Sequence, residues 1–218
     1  PQHFALVSSS SANSCNDFSY MSEPGIALNY QLEARSAANS ITLNYGVGYT
    51  NTAELAVVAE NLSGGNEVVS LGARLAVTPG SWQAGVYSVS QADAAFNRQL
   101  SGIPDGPYAQ LQLGLQVLTE QDQRNFTGLN MDATTAGSAE CGASCTAIML
   151  ATPLNLRYGR LMLENSYGPE SENLPLQLRA EYWNGADFAQ LLPRQARTRP
   201  AGPPRTCNVK FARIIASG

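Results

Sequence analysis

The sequence predicts an all-β protein made of two immunoglobulin-like antiparallel β-sandwiches in tandem. Three observations carry this. Apolar and polar residues alternate with a period of two in several segments, which gives an extended strand one greasy and one wet face. Gly, Pro and Asn turn signals separate those segments. No long segment shows a 3.6-residue period, and charged residues are only 14% of the 218, against about 25% in an ordinary soluble domain. That composition excludes a like-charge-rich disordered chain and a coiled coil. The apolar runs also fall well short of the roughly 20 residues a membrane-spanning helix needs.

The elements follow in order. Ile26, Leu28, Tyr30, Leu32 and Ala34 alternate with polar or small residues and predict a strand, introduced by the Glu23-Pro24-Gly25 turn. Gly46-Val47-Gly48 reads as a turn, since the residues after it do not open a helix. Val69, Leu71, Ala73, Leu75 and Val77 predict a second strand, bounded by Ser63-Gly64-Gly65-Asn66 and Thr78-Pro79-Gly80. The stretch from Gly80 to Arg98 predicts two strands and a turn, with Trp82, Ala84 and Val86 on one face and Trp82 as a core filler. Leu111, Leu113, Leu115 and Val117 predict the next strand; Leu174, Leu176, Leu178, Ala180 and Tyr182 predict the last, before an Asn184-Gly185 turn. Glu164 to Gly168 reads as a tight turn between strands, with Asn165 and Gly168 taking the special backbone angles.

Two prolines and two glycines fall between Ser101 and Pro107. This is the best domain boundary and predicts one sandwich over residues 1–102 and a second over 103–218, each near the usual immunoglobulin-like size. The second half also holds the longest expected loop, Thr127 to Cys145. Four cysteines, Cys15, Cys141, Cys145 and Cys207, are too few for a disulfide scaffold and fit one or two disulfides in an exported protein. Cys141 and Cys145 can staple the end of the long loop; a Cys15–Cys207 bridge that joins the chain ends is the alternative. Zinc needs a second close ligand pair, which Cys141 and Cys145 lack. The chain starts at Pro1 with no signal-peptide pattern, which fits a processed chain or a piece of a longer one.

The charge is skewed. All 17 acidic residues lie at or before Asp187, so residues 1–187 carry 7 − 17 = −10 and residues 188–218 carry +6. Two readings of this basic end stand: a truncated or misassigned terminus, and a divergent natural tail or edge strand. A nucleic-acid or membrane arm is disfavoured, because beyond Phe188 the tail has a single aromatic residue, Phe211, to set among its basic side chains.

The chemistry-bearing residues are sparse. His3 is the only histidine and sits near the N-terminus, where any Ser-His-Asp or Cys-His system would have to recruit it. No zincin, nucleophile-elbow, P-loop or dinucleotide-binding motif is present. Glu164, Glu170, Glu172 and Glu181 lie near Tyr158, Tyr167, Tyr182 and Trp183, and paired carboxylates are what a glycosidase needs. Exposed acids beside core aromatics are the ordinary case, and no enzyme is expected. Tyr167, Tyr182 and Trp183 are the candidate ligand platform, since rings with polar handles bind sugar faces. Asp132 and Glu140 lack the spacing of a calcium loop, and no cofactor or metal is expected. Asn61-Leu62-Ser63 and Asn125-Phe126-Thr127 match the glycosylation pattern.

Several segments carry a family resemblance. They are the opening Pro1 to Leu6 with Cys15 and Phe18-Ser19-Tyr20-Met21, then Pro104-Asp105-Gly106-Pro107-Tyr108 before Leu111 to Gly114, and above all Arg157 to Gly185. That last run holds Tyr158-Gly159-Arg160, Glu164-Asn165-Ser166-Tyr167-Gly168, Leu174-Pro175-Leu176 and Glu181-Tyr182-Trp183-Asn184-Gly185. Together they resemble the C-terminal region of MshQ-type proteins, which belong to the mannose-sensitive haemagglutinin type IV pilus system of Gram-negative bacteria. After Phe188 the chain departs from that family, at the point where its charge switches. The resemblance implies a surface-exposed, pilus-associated module with no established catalytic residues. The expected function is therefore a non-enzymatic extracellular structural or adhesive module. Its expected partners are other domains of the same protein, pilus subunits or surface glycans, without nucleic acid or membrane insertion. The alternatives are a carbohydrate-binding module and a filament subunit that assembles by strand addition.

Overall fold

The computed structural model describes residues 1–63, 71–132, 141, 145–164, 167–168 and 178–190. Among them there is no α-helix; the chain is built of strands and one short 3₁₀ turn. The strand expected from Ile26 onward forms as β3 (Ile26–Arg35), and its burial follows the sequence pattern at every position, with Ile26, Leu28, Tyr30, Leu32 and Ala34 inside. β1 (His3–Ala12) and β7 (Val86–Phe96) flank it, both antiparallel. β5 (Leu75–Ala76) and β6 (Trp82–Gln83) each add a short pairing to β7 and complete the first sheet. The second sheet runs in the order β2 (Ser19–Tyr20), β10 (Leu154–Arg157), β8 (Tyr108–Thr119), β4 (Glu54–Asn61), with β9 (Ile148–Met149) also on β8. All its pairings are antiparallel except that of β10 with β2.

The inner faces of both sheets feed one buried cluster. Ile26, Leu28, Leu32 and Phe96 from the first sheet meet Leu111, Leu113, Leu115, Leu154 and Leu156 from the second. One end is filled by aromatics. Phe4 packs on Tyr45, Trp82 and Phe126 with ring centroids 5.2–6.1 Å apart. The polar handles of those rings are satisfied. The Trp82 Nε1–H donates to the Ala53 carbonyl, and the Tyr45 hydroxyl accepts from the Ala53 amide. The serine run in β1 fastens one edge of the sandwich. Ser9 Oγ accepts from the Ala151 amide and Ser11 Oγ donates to the Thr152 carbonyl, so side chains join the two sheets where no backbone ladder does.

Three expectations need correction. First, the boundary at Ser101–Pro107 does not separate two cores. β8 follows that segment and pairs with β4 over its whole length, from Glu54↔Thr119 to Asn61↔Leu111. The Pro- and Gly-rich stretch is a crossing from one sheet to the other, pinned by Asp105, which ion-pairs with Arg74 and accepts from the Tyr108 hydroxyl. Second, in the strand expected over 69–77 the described part, from Leu71, is a 3₁₀ turn (Leu71–Arg74) followed by β5. Gly72 crosses so close to β4 that a Cβ there would meet the Val57 carbonyl oxygen. Third, Trp82 is buried as expected but shares its face with Tyr87, not with Ala84 and Val86. Ala84 and Gly85 both take positive φ, at 48° and 80°, and form a two-residue hairpin turn that reverses the chain between them.

The β8 alternation also breaks in an informative way. Gln112 and Gly114 lie on the face opposite Leu111, Leu113 and Leu115 yet are buried, Gly114 beside the small second cluster of Val58, Met131 and Ala147 and Gln112 against the chain that runs along the edge of β8 at Leu150. Gln112 Nε2 donates to the Leu150 carbonyl, and Gly114 leaves room for the Met131 sulfur. A third, separate sheet follows the sandwich: β11 (Gly159–Leu163), β12 (Leu178–Trp183) and β13 (Phe188–Gln190), antiparallel throughout.

Candidate interaction surface

The third sheet begins one residue after β10 ends, with only Tyr158 between them. Strand alternation gives it two unlike faces. Gly159, Leu161, Leu163, Leu178, Ala180 and Tyr182 share one face by register, with Leu161 opposite Ala180 and Leu163 opposite Leu178. Three of these leucines remain open to solvent: Leu161 is 47% exposed, Leu163 58% and Leu178 48%. Apolar side chains side by side across two strands form a patch, whereas single surface leucines are ordinary.

The opposite face is charged at one end and aromatic at the other. Glu181, 7% exposed, takes a 2.8 Å ion pair from Arg160 and a 3.7 Å one from Arg179. Arg179 also pairs with Glu164 at 2.8 Å. Next along, the Arg160 guanidinium sits 3.5 Å over the Phe188 ring, and Phe188 packs edge-on against Trp183 at 5.3 Å.

These positions settle where the sequence candidates lie. Tyr182 and Trp183 are adjacent on β12, so their rings point to opposite sides of the sheet and no single plane carries both. Both are half-buried: Tyr182 lies under the Arg157 guanidinium, and Trp183 is packed on Phe188. Tyr167 is 92% exposed. The three therefore do not assemble as a platform. Glu164 and Glu181 are clamped by arginines, while Glu170 and Glu172 lie outside the described residues. Asp132 is buried, Glu140 lies outside the described residues, and among the described residues no group of three His, Cys, Asp or Glu side chains is arranged to hold a metal. His3 lies in β1 opposite Arg35. Cys141 and Cys145 form the expected disulfide, with Cα atoms 5.1 Å apart. Cys15 is buried and also disulfide-bonded. Cys207 and the basic tail from residue 191 lie outside the described residues, as do Asn165, Ser166 and the first part of the strand expected from Leu174.

The residues that matter at the junction of sandwich and third sheet escape a reading for motifs. Arg157 lies 4.3 Å over the Phe18 ring and 4.9 Å over the Tyr182 ring, so one guanidinium bridges the two units. Arg98 stands 5.2 Å over Tyr158, and its Nη1 donates to the Gly159 carbonyl. Burial pushes the Tyr20 hydroxyl up to about 12, partly offset by the nearby Arg157 charge. The only sequence signal for this joint is Tyr158-Gly159-Arg160 itself, where a glycine breaks an otherwise bulky strand.

No curated protein and no solved structure matches the chain. Two family models do. The model described as DUF6701, third domain, matches residues 1–146, and DUF6701, fourth domain, matches residues 157–191. The first match ends before β9 and β10, yet Leu154 and Leu156 on β10 sit in the sandwich core, so the sandwich extends through Arg157. The second match covers the third sheet. Over more than half of its length, then, this all-β, disulfide-bearing chain follows one family, and it belongs to the DUF6701 family, with the third domain in its sandwich and the fourth-domain match in its small sheet.

Proposed function

We propose that this protein is a non-enzymatic, extracellular structural or adhesive module of a pilus-associated bacterial surface protein. One observation carries the reading: two family domains stand in series on one chain, the first a sandwich with bonded cysteines and no free one among the described residues. Disulfides persist in oxidising compartments, which points outside the cytoplasm. Domains in series suit a part that spaces and supports, because each keeps its own packing while the chain passes load from one to the next. The MshQ-type resemblance of Arg157 to Gly185 supplies the pilus association.

The leucine face of the third sheet gives this module a contact. Its occupant is another domain of the same polypeptide, since the matched models are themselves the third and fourth of a numbered series. Exposed leucines side by side across two strands fit a protein contact better than a solvated surface. Labelling the parent protein with an antibody on intact cells tests the location. The reading expects signal on unpermeabilised cells and its loss after external protease. Signal that appears only after lysis overturns it.

A further inference from the structure

We infer that the sandwich and the third sheet are locked into one rigid body by an arginine clamp, Arg98 and Arg157, rather than joined as two domains on a free hinge. Six contacts gather around the one-residue connection at Tyr158. The Arg157 carbonyl accepts from the Met21 amide at 2.9 Å, which anchors the end of β10 in the sandwich. Its side chain then reaches out of the sandwich, between Phe18, which belongs to it, and Tyr182, which belongs to the third sheet. Arg98 repeats the device from the first sheet's side. Its amide is held by Ser22 Oγ, and its guanidinium covers Tyr158 and donates to the Gly159 carbonyl. The Tyr158 carbonyl in turn accepts from the Trp183 amide at 2.8 Å, which ties β12 to the connecting residue.

Gly159 makes the fit close. A Cβ there would stand 2.7 Å from Cδ1 of the buried Tyr20 ring, so only glycine lets β11 leave flush against the sandwich. A planar guanidinium stacked between two rings resists sliding and tilting together, which a lysine ammonium on a flexible stem does not. A connection of one residue also leaves too little chain to act as a flexible linker. The clamp grips the Gly159 and Tyr182 end of the face whose other end carries Leu161, Leu163 and Leu178, and the inference stands whatever covers those leucines.

Residual dipolar couplings on the full chain test this. The expected result is one alignment tensor that fits the amides of residues 1–157 and 159–190 together. In the Arg98→Ala/Arg157→Ala double variant, two tensors are needed, and the Trp183 amide exchanges at least about tenfold faster while Leu28 and Leu113 amides keep their protection. Arg157→Lys gives the same loss of coupling in a milder form, and serves if the double variant does not fold. Two tensors in the unaltered protein overturn the inference; so does a single tensor that survives in a folded clamp variant.

Discussion

At the scale of the residue, the aromatic end of the core concentrates the stability. Phe4 has no exposed surface and touches rings from three separate segments, Tyr45, Trp82 and Phe126. Phe4→Ala is expected to lower the unfolding free energy by about 3–5 kcal/mol, read from urea denaturation. The tyrosines set a limit at high pH. Burial pushes Tyr20 and Tyr45 up to about 12 and Tyr30 higher still, all from an ordinary 10.0. Above pH 10 the unfolded chain therefore loses phenolic protons that the folded chain retains. The stability tied to these groups is complete below pH 10 and falls as pH rises from 10 to about 12. A urea midpoint that is flat below pH 10 and drops above it, with tyrosinate absorbance that rises only as the protein unfolds, is the expected outcome. This scale was partly legible in the sequence. Burial of Trp82 followed from residue type, but its partner did not, because Ala84-Gly85 is not the Asn-Gly pair that announces a tight hairpin.

At the scale of the element, β3 shows when alternation suffices. It is covered on its inner face alone and has neighbours on both edges, so its side chains obey the pattern at every position. Where a second layer intrudes, the pattern misleads. The polar Gln112 is buried because the chain returns alongside β8 at Leu150 and accepts from its amide, an event whose cause lies 38 residues away. The segment from Leu71 reads as a strand by alternation, but it forms a 3₁₀ turn in which Gly72 passes against the β4 backbone. The hairpin between β6 and β7 offers a clean test. Ala84 holds φ at 48°, a conformation that costs an L-residue with a Cβ roughly 1–2 kcal/mol and that Asn tolerates better. Ala84→Asn is expected to raise stability by about 0.5–1 kcal/mol, measured as an upward shift of the urea midpoint with an unchanged slope.

At the scale of the whole molecule, the sequence predicts the class and misplaces the partition. Period-two alternation and turn punctuation are local, and they led to an all-β sandwich. Domain count depends on which strands meet, and that is not local. Pro104-Asp105-Gly106-Pro107 would look the same before a new domain or before a crossing to the opposite sheet. The pairing of β4 with β8 decides for the crossing, and the family matches place their own division after residue 146. The charge asymmetry now falls in part outside the described residues, since the acidic body is the sandwich and third sheet, and most of the basic end follows Gln190. Residues before and after the crossing build one core, on which a single structural module rests. Expressing residues 1–102 alone tests it most directly. That fragment keeps β4 but lacks β8 and β10, so it loses Leu111, Leu113, Leu115, Leu154 and Leu156 from the core. The fragment is expected to show no cooperative urea transition and poor amide dispersion, against a sharp transition for the full chain. A fragment that unfolds cooperatively with native-like dispersion would contradict it.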